Sequence, residues 1–328
     1  MQKADRQVHN YGDAARTGWC VSLMKHMLLW CSRNRWMSHH LPRPGFIRRA
    51  VRRFMPGETL EAALAEAAAL RDRGLGTVLT YLGENISDLS EADRVRDHYL
   101  EAYAQIAARN LPAEISVKLT QLGLDLSSDR TWEHLRALAR RAANDGNFLW
   151  IDMESSACVE TTLQLYRRLR KEYANVGLCL QAYLYRTNAD LASLAPLIPS
   201  IRLVKGAYRE PTTVAYPRKA DVDRNFLAIG RTLLGGIPER VRRVVIATHD
   251  TAIIEELIRE AKSHGLLNDA FEFHMLYGVN SDLQRRLADE GWRVKTLISY
   301  GSAWFPWYMR RLAERPANVW FVARSLFR

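Results

Sequence analysis

The sequence has few cysteines and no long apolar run. Its four cysteines, Cys20, Cys31, Cys158 and Cys179, are far apart, so no Cys-x-x-Cys pair indicates a zinc site or a redox pair. Isolated thiols of this kind are typical of a protein from a reducing compartment. The apolar stretch between Cys20 and Cys31 is interrupted by a Lys-His pair and is too short to span a bilayer. These absences favour a cytoplasmic protein.

Several motifs that carry chemistry are also missing. No Gly-x-Gly-x-x-Gly follows a strand-like run, which argues against a dinucleotide-binding sheet. His39 and His40 are adjacent, and His249 and His274 stand apart, so no histidine-carboxylate set has the spacing of a metal site. Ser155 has no evident base nearby, which makes nucleophilic hydrolysis a weak interpretation. We therefore predict no metal.

Composition is that of a globular protein, with an unusual distribution of charge. Of 328 residues, 48% are hydrophobic and 25% charged, and the formal net charge is +11. Residues 1–56 hold eleven Lys and Arg against two Asp, so this segment carries +9 of that charge. No basic stripe with interleaved aromatics continues into the rest of the chain, which argues against nucleic-acid binding. We predict a basic, helical N-terminal arm or extension over 1–56 and a catalytic domain over 57–328.

The basic arm leaves two alternatives open. Its charge, together with Trp19 and Trp30, suits peripheral association with an anionic membrane, which would place the protein at the inner face of the cell membrane. Residues 1–26 can equally be an unstructured extension ahead of a start at Met27.

From residue 76 the sequence alternates short β-branched runs with longer stretches of helical period. Segments 131–145 and 253–265 have apolar residues at helical spacing, and 58–74 forms another amphipathic helix ahead of the first run. Eight nearly continuous apolar runs alternating with helices predict an α/β fold, a (β/α)8 TIM-type barrel preceded by N-terminal helices. The eight runs are 76–84, 113–120, 147–154, 175–183, 201–208, 242–250, 270–278 and 291–301.

Polar side chains stand at the ends of these runs, where a barrel of this type places its site. They are Glu84, Lys118, Asp152, Glu154, Gln181, Arg202, Lys205, Thr248, His249, Asp250 and His274, followed by Arg310, Arg311 and Glu314 after the eighth run. The carboxylates expected nearest to the five cations of this set are three, Glu84, Asp152 and Glu314, so cations are in excess and the mouth should bind one or more anions. Arg202 and Lys205 in IRLVKGAY also need a counter-charge, because a buried cation is costly without one.

Longer motifs resemble the proline dehydrogenase family, in its compact single-domain bacterial form. They cover residues 50–328 in order: YLGENI, ISVKLTQLGLDL, IDMESSACVETTL, LQAYLYRTNADL, RLVKGAYRE, KADVDRNF, ATHD, EFHMLYG and FPWYMRRLAERPAN. The resemblance implies a distorted barrel that binds FAD. It also implies oxidation of L-proline to 1-pyrroline-5-carboxylate, the first step of proline catabolism, with electrons passed to a membrane quinone.

The resemblance also implies roles for individual residues. Lys118, Arg310 and Arg311 would hold the substrate carboxylate, Asp152 would be the active-site aspartate, and Glu84 would act as a gate that pairs with Arg310. Leu203 and Tyr208 would line the substrate pocket, and Arg202 would lie near flavin N5. The other cofactor contacts would be Met153, Gln181, Lys205, Gly206, Ala207, Thr248, His249 and Glu314. In this interpretation the cofactor supplies the counter-charge for Arg202 and Lys205.

The sequence departs from the family pattern at three positions. Leu297 stands where the eighth strand usually has a Tyr over the proline ring, Ser299 replaces a Pro, and His274 replaces a Gln. Either these changes are neutral, or the substrate is hydroxyproline or another modified or carrier-bound proline. The retained cations favour a free imino acid. The alternative of a different class is a barrel that has lost catalysis and acts as a binding protein.

Overall fold

The computed structural model describes residues 53–83, 86–237 and 239–304. The chain divides into two compact units. One is Pro56–Tyr300; the other is Met1–Met55 with Gly301–Arg328, of which only 53–55 and 301–304 are described. Most of the basic arm and of the aromatic segment after the eighth run therefore lies outside the described residues. The domain boundary at residue 56 stays a prediction.

Eight parallel strands close into a barrel in sequence order, with β8 paired to β1. This confirms the predicted fold. The strands are β1 (Gly76–Tyr81), β2 (Ala113–Val117), β3 (Leu149–Ile151), β4 (Val176–Gln181), β5 (Ser200–Val204), β6 (Arg243–Ala247), β7 (Glu272–Leu276) and β8 (Arg293–Tyr300).

In the part of the chain described here, one α-helix precedes β1, and one follows each of the strands β1 to β7. Their N-termini show local sequence control: the hydroxyl of Ser127 accepts from the backbone N–H of Arg130 at 3.2 Å and caps the helix that follows β2. The α-helices of the described part are α1 (Leu60–Arg71), α2 (Leu89–Ala108), α3 (Ser128–Asn144), α4 (Val159–Glu172), α5 (Thr187–Leu194), α6 (Lys219–Leu234), α7 (Thr251–Ser263) and α8 (Ser281–Asp289). None of the helices described here is long and apolar enough to cross a membrane.

Each strand sends alternate side chains into the barrel and toward the helices. On β2, Ile115 and Val117 belong to the large apolar cluster that includes helix residues. Glu114 and Ser116 point inward with Lys118, which follows the strand, and contact residues of other strands inside the barrel. The inward positions therefore form polar layers at the two ends of the barrel.

Trp150 on β3 separates these polar layers. Its ring is buried inside the barrel against Val78 and Val245, and its Nε1 donates to Glu114 Oε2 at 2.8 Å. A Cβ on Gly177 would lie 2.4 Å from the indole ring, so β4 needs glycine there to admit it. The indole thus forms the floor beneath the carboxyl ends of the strands.

Below Trp150 lies a network of four charged side chains, which we call the base network: Glu114, Arg243, Glu272 and Lys295. Arg243 contacts Glu272 at 2.6 Å and Glu114 at 2.8 Å, and Lys295 also contacts Glu114. A cavity of about 660 Å³ opens onto these residues at the amino ends of the strands. Two cations and two carboxylates make the network neutral as a whole.

Candidate active site

Three charged side chains meet at the carboxyl ends of β2, β3 and β5. Lys118 Nζ lies 2.9 Å from Asp152 Oδ2, and Arg202 Nη2 donates to Asp152 Oδ1. All three were predicted as site residues from their strand ends. The structure brings them together because parallel strands end at the same edge of the barrel.

The Asp152 carboxylate is held in its ionised form. Burial by itself favours the neutral acid, but the charges of Lys118 and Arg202 and hydrogen bonds from Lys118 and Ser116 lower the pKa of Asp152 to about 2. A carboxylate with so low a pKa is a poor proton acceptor near neutral pH. Its chemistry at this site is therefore to hold and orient two cations.

Arg202 is the most buried of the three, with 2% of its surface exposed. Its guanidinium lies over the Trp150 ring at 5.1 Å, and Nη2 contacts Ser116 and Asp152. Nη1 is also buried and has no hydrogen-bond partner among the residues that the structure describes. A buried guanidinium N–H without such a partner is a donor available to a group outside the described residues.

Lys205 follows β5 and is less buried than the sequence suggested, with 25% of its side chain exposed. Its Nζ lies 2.5 Å from Asp223 Oδ1 and 2.9 Å from Asp250 Oδ2. Arg202 likewise has Asp152 as its partner. The interpretation that a cofactor supplies the counter-charge of these two cations is corrected by these contacts, because the chain itself supplies it.

The turn after Lys205 is shaped by glycine. Gly206 has φ +119°, and a Cβ there would lie 2.3 Å from the Tyr183 ring. Both the backbone conformation and the approach of this ring require glycine. Ala207 is exposed and Tyr208 half-buried. Their contacts with cofactor and substrate stay predictions.

Other predicted cofactor positions lie at the end of β4 and just after β3 and β6. Gln181 is buried and donates to the Met153 carbonyl at 3.2 Å, while its Oε1 finds no hydrogen-bond donor in the described part of the chain. Thr248 is buried. His249 Nε2 accepts from the Leu276 N–H at 2.8 Å, which places the proton of the neutral ring on Nδ1.

Two leucines predicted at the substrate have different surroundings. Leu203 is fully buried in the large apolar cluster, on the opposite face of β5 from Arg202. Leu297 is partly exposed and packs inside the barrel with Val78 and Trp150. Both roles stay predictions.

Four predicted site residues, Glu84, Arg310, Arg311 and Glu314, lie outside the described residues. Within 53–83, 86–237 and 239–304, no group of three or more His, Cys, Asp or Glu side chains is arranged to hold a metal ion. The described part of the site is thus built around Lys118, Asp152 and Arg202.

Two features near the mouth were not predicted from the sequence. Ser116 Oγ contacts both Asp152 and Arg202; a serine inside a strand gives no signal of this. Glu210 accepts from the backbone N–H of Ser156 at 2.7 Å and also from its hydroxyl, which ties the loop after β5 to the loop after β3. The only signal of this tie was the presence of polar residues in both loops.

His274 is buried inside β7, with Nε2 3.5 Å from Glu272 Oε2, and we expect it to destabilise the protein in acid. Burial lowers its pKa to about 4 from the ordinary 6.5; the neighbouring Glu272 opposes this and Arg202 adds to it. Between these pH values the unfolded chain binds a proton that the folded chain does not. Acidification across this range therefore favours unfolding, by about 3 kcal/mol in total.

Urea unfolding at stepped pH, compared between the wild type and His274→Gln, measures this contribution. The variant should show a flatter loss of stability between pH 6.5 and 4. Burial also lowers the pKa of the half-buried His98, but that contribution is common to both proteins. Equal slopes for the two proteins would contradict the assignment.

Comparison with known proteins identifies the family. A family model described as "Proline dehydrogenase" matches residues 63–324. Proline dehydrogenase 1 of Bacillus subtilis subsp. natto is 37% identical over 307 residues, which cover 93% of this chain and 100% of that protein. Proline dehydrogenase of Deinococcus radiodurans is 38% identical over 281 residues, which cover 84% of this chain and 89% of that protein.

A solved structure agrees with the fold. The crystal structure of proline utilization A from Bdellovibrio bacteriovorus, inactivated by N-propargylglycine, superposes with a TM-score of 0.78 at 24% identity. The match covers 89% of this chain and 36% of that longer one. The resemblance seen in the motifs is thus confirmed by the family model and by two relatives matched over most of their length. The chain belongs to the proline dehydrogenase family of oxidoreductases.

Proposed function

We propose that this chain oxidises L-proline to 1-pyrroline-5-carboxylate with FAD as its cofactor, at the mouth formed by Lys118, Asp152 and Arg202. The observation that carries the proposal is the buried Arg202 guanidinium, which is ion-paired to Asp152 through Nη2 and whose Nη1 has no hydrogen-bond partner among the described residues. Such a group is placed to meet a polar ligand above the indole floor.

The residues present fit a flavin. Arg202 Nη1 is a buried donor and Gln181 Oε1 a buried acceptor, and both are unsatisfied among the described residues. A bound ring system with carbonyl and N–H groups would satisfy both. Met153, Gly206, Ala207, Thr248, His249 and Lys205 would complete the cofactor contacts, together with Glu314 beyond the described range. FAD, when bound, supplies the hydride acceptor.

The chain's own residues would bind and orient the substrate. Lys118, with Arg310 and Arg311, would hold the carboxylate of proline and fix the direction of the ring. Asp152 keeps Lys118 and Arg202 at fixed positions at neutral pH, because its pKa is about 2. The positive charge of Arg202 would favour the negative charge that reaches the site with the hydride. Tyr208 and Leu297 would shape the pocket around the ring, and Glu84 would gate it through Arg310.

The test is an anaerobic titration of the purified protein with L-proline while the visible absorbance of the flavin is followed. We expect proline to bleach the flavin. Trans-4-hydroxy-L-proline serves as the second substrate, because Leu297 brings an apolar, partly exposed side chain into the barrel. Bleaching by hydroxyproline alone would favour an altered substrate, and a protein that takes up no FAD would contradict the proposal.

A second experiment, which starts from the reduced enzyme, addresses the electron acceptor. We propose a quinone, with the enzyme working in the cytoplasm and the basic arm at the inner face of the membrane. Anionic vesicles that contain quinone should then reoxidise the reduced enzyme faster than a water-soluble quinone does. Removal of residues 1–26 should abolish that advantage; an unchanged rate would mean that this segment takes no part.

A further inference from the structure

We propose that Ser116 is a positioning residue of the reaction, whose hydroxyl fixes Arg202 against Asp152. The inference rests on the proposed function, since it assigns Arg202 and Asp152 to that chemistry. Ser116 Oγ donates to Asp152 Oδ1 at 2.8 Å and accepts from Arg202 Nη2 at 2.7 Å. Arg202 Nη2 also contacts the same carboxylate oxygen directly. Three polar atoms from β2, β3 and β5 therefore form a closed triangle.

The triangle determines how the Asp152 carboxylate is turned. Its Oδ1 receives Ser116 and Arg202, while its Oδ2 receives Lys118. Ser116 on β2 and Lys118 just after it are two residues apart, so their side chains lie on the same face. The spacing of one strand thus sets donors on both oxygens of the carboxylate. Removing the serine hydroxyl leaves Oδ1 with a single partner and allows the carboxylate to rotate.

The same hydroxyl restricts the guanidinium. Arg202 stacks over Trp150 at 5.1 Å, which fixes its height in the barrel but not its rotation in the plane of the ring. Ser116 and Asp152 accept from Nη2 and supply that second constraint. Because Nη1 and Nη2 belong to one rigid planar group, fixing Nη2 also fixes the direction of the unused Nη1. Loss of the hydroxyl would let the Nη1 donor point away from its ligand.

Burial alone does not require a hydroxyl at this place in a strand. Ser200 on β5 is as completely buried as Ser116, yet its Oγ has no hydrogen-bond partner within the described ranges. Ser200→Ala is therefore a matched control, with the same substitution and the same burial but without the two charged partners.

The first arm of the test is the rate of anaerobic flavin reduction by saturating L-proline. Ser116→Ala should lower this rate roughly ten- to hundredfold, because two hydrogen bonds to charged groups are lost, one to Asp152 and one from Arg202. Affinity for tetrahydrofuran-2-carboxylate, which cannot be oxidised in the same way, should change less than about twofold, since Lys118 is retained. Ser200→Ala should leave both quantities unchanged. Ser116→Thr, which keeps the hydroxyl, should recover much of the rate.

The second arm is independent of turnover. The Asp152 carboxyl resonance can be followed by ¹³C NMR in protein labelled at aspartate, with Asp152→Asn identifying the signal. At neutral pH, Ser116→Ala should shift this resonance, because Asp152 Oδ1 loses the hydrogen bond from the Ser116 hydroxyl, whereas Ser200→Ala should leave it in place. If proline reduces the flavin neither in the wild type nor in any variant, the proposed function fails. The NMR result then still decides whether Ser116 positions Asp152. An unchanged rate together with an unmoved Asp152 resonance, or equal losses in both alanine variants, would overturn the inference.

Discussion

We expect Arg202→Lys to lower the rate of flavin reduction by L-proline roughly a hundred- to a thousandfold, with the protein still folded. Lysine keeps the positive charge and can still pair with Asp152. Its donors all sit on one nitrogen, however, so when that nitrogen contacts Ser116 and Asp152 there is no second nitrogen at the position of Nη1. The atom that is lost is Arg202 Nη1, the buried N–H without a partner among the described residues.

The measurement is stopped-flow reduction of the FAD-loaded variant, with thermal unfolding run beside it. Arg218→Lys is the control, because Arg218 is exposed and pairs with Asp221 on the surface. It should reduce at the wild-type rate. If Arg202→Lys retained more than about a third of the wild-type rate, Nη1 would have no part in the chemistry.

The barrel itself was predictable because its signal is spread over many residues. Runs such as 113–120 and 242–250 are nearly continuous apolar stretches, and each lies next to a segment of helical period. Closure follows from eight such units and right-handed crossovers, without knowledge of any single contact. The cluster of Lys118, Asp152 and Arg202 was predictable for a related reason: residues at the ends of parallel strands share one edge.

What failed were inferences that need a specific partner. The sequence suggested that Lys205 is a cation whose counter-charge is a ligand. Its partners are instead the carboxylates of Asp223 on α6 and Asp250 after β6, which only the tertiary fold brings close to it. Ser116 carries no pattern at all, since a small polar residue in a strand is compatible with any environment. The hydrophobic period of a sequence predicts helices and strands, but it does not predict which side chains of different elements contact each other.

The base network was missed for a third reason. Glu114, Arg243, Glu272 and Lys295 stand at the beginnings of their strands, where a polar residue ordinarily marks the exposed start of an element. Inward alternation buries them instead, beneath Trp150. They could have been predicted from the alternation of side chains along the strands, because all four point into the barrel. That inference, however, requires the strand register.

That network gives the largest stability effect that we predict: Arg243→Met should lower the free energy of unfolding by about 3–5 kcal/mol. Arg243 contacts Glu272 at 2.6 Å and Glu114 at 2.8 Å, and its methionine replacement leaves two buried carboxylates with Lys295 as their remaining cation. The cost comes from the uncompensated negative charge rather than from lost packing, because methionine keeps a long apolar stem.

The pH dependence of the loss separates that cause from a simple packing defect. In the wild type, burial would raise the pKa values of Glu114 and Glu272, but the nearby cations outweigh it and lower both. Both carboxylates therefore stabilise the folded state above their ordinary pKa and lose that contribution as the pH falls. Without Arg243, the effect of burial on these carboxyl groups outweighs that of the remaining cation. A carboxyl group of the folded variant then takes up a proton more readily than the same group in the unfolded chain. The stability gap between wild type and variant should then narrow as the pH is lowered from neutrality to about 5.

Urea unfolding of the two proteins at both pH values measures the gap, and Glu272→Gln in the Arg243→Met background supplies the second test. Removing one of the unpaired charges should return part of the lost stability, since the two substitutions touch the same network. Arg231→Met breaks a more exposed pair with Glu256 and should cost less than about 1 kcal/mol. A gap that stays constant with pH, and a double variant no more stable than Arg243→Met, would assign the loss to packing and leave the charges of the base network without a role in stability.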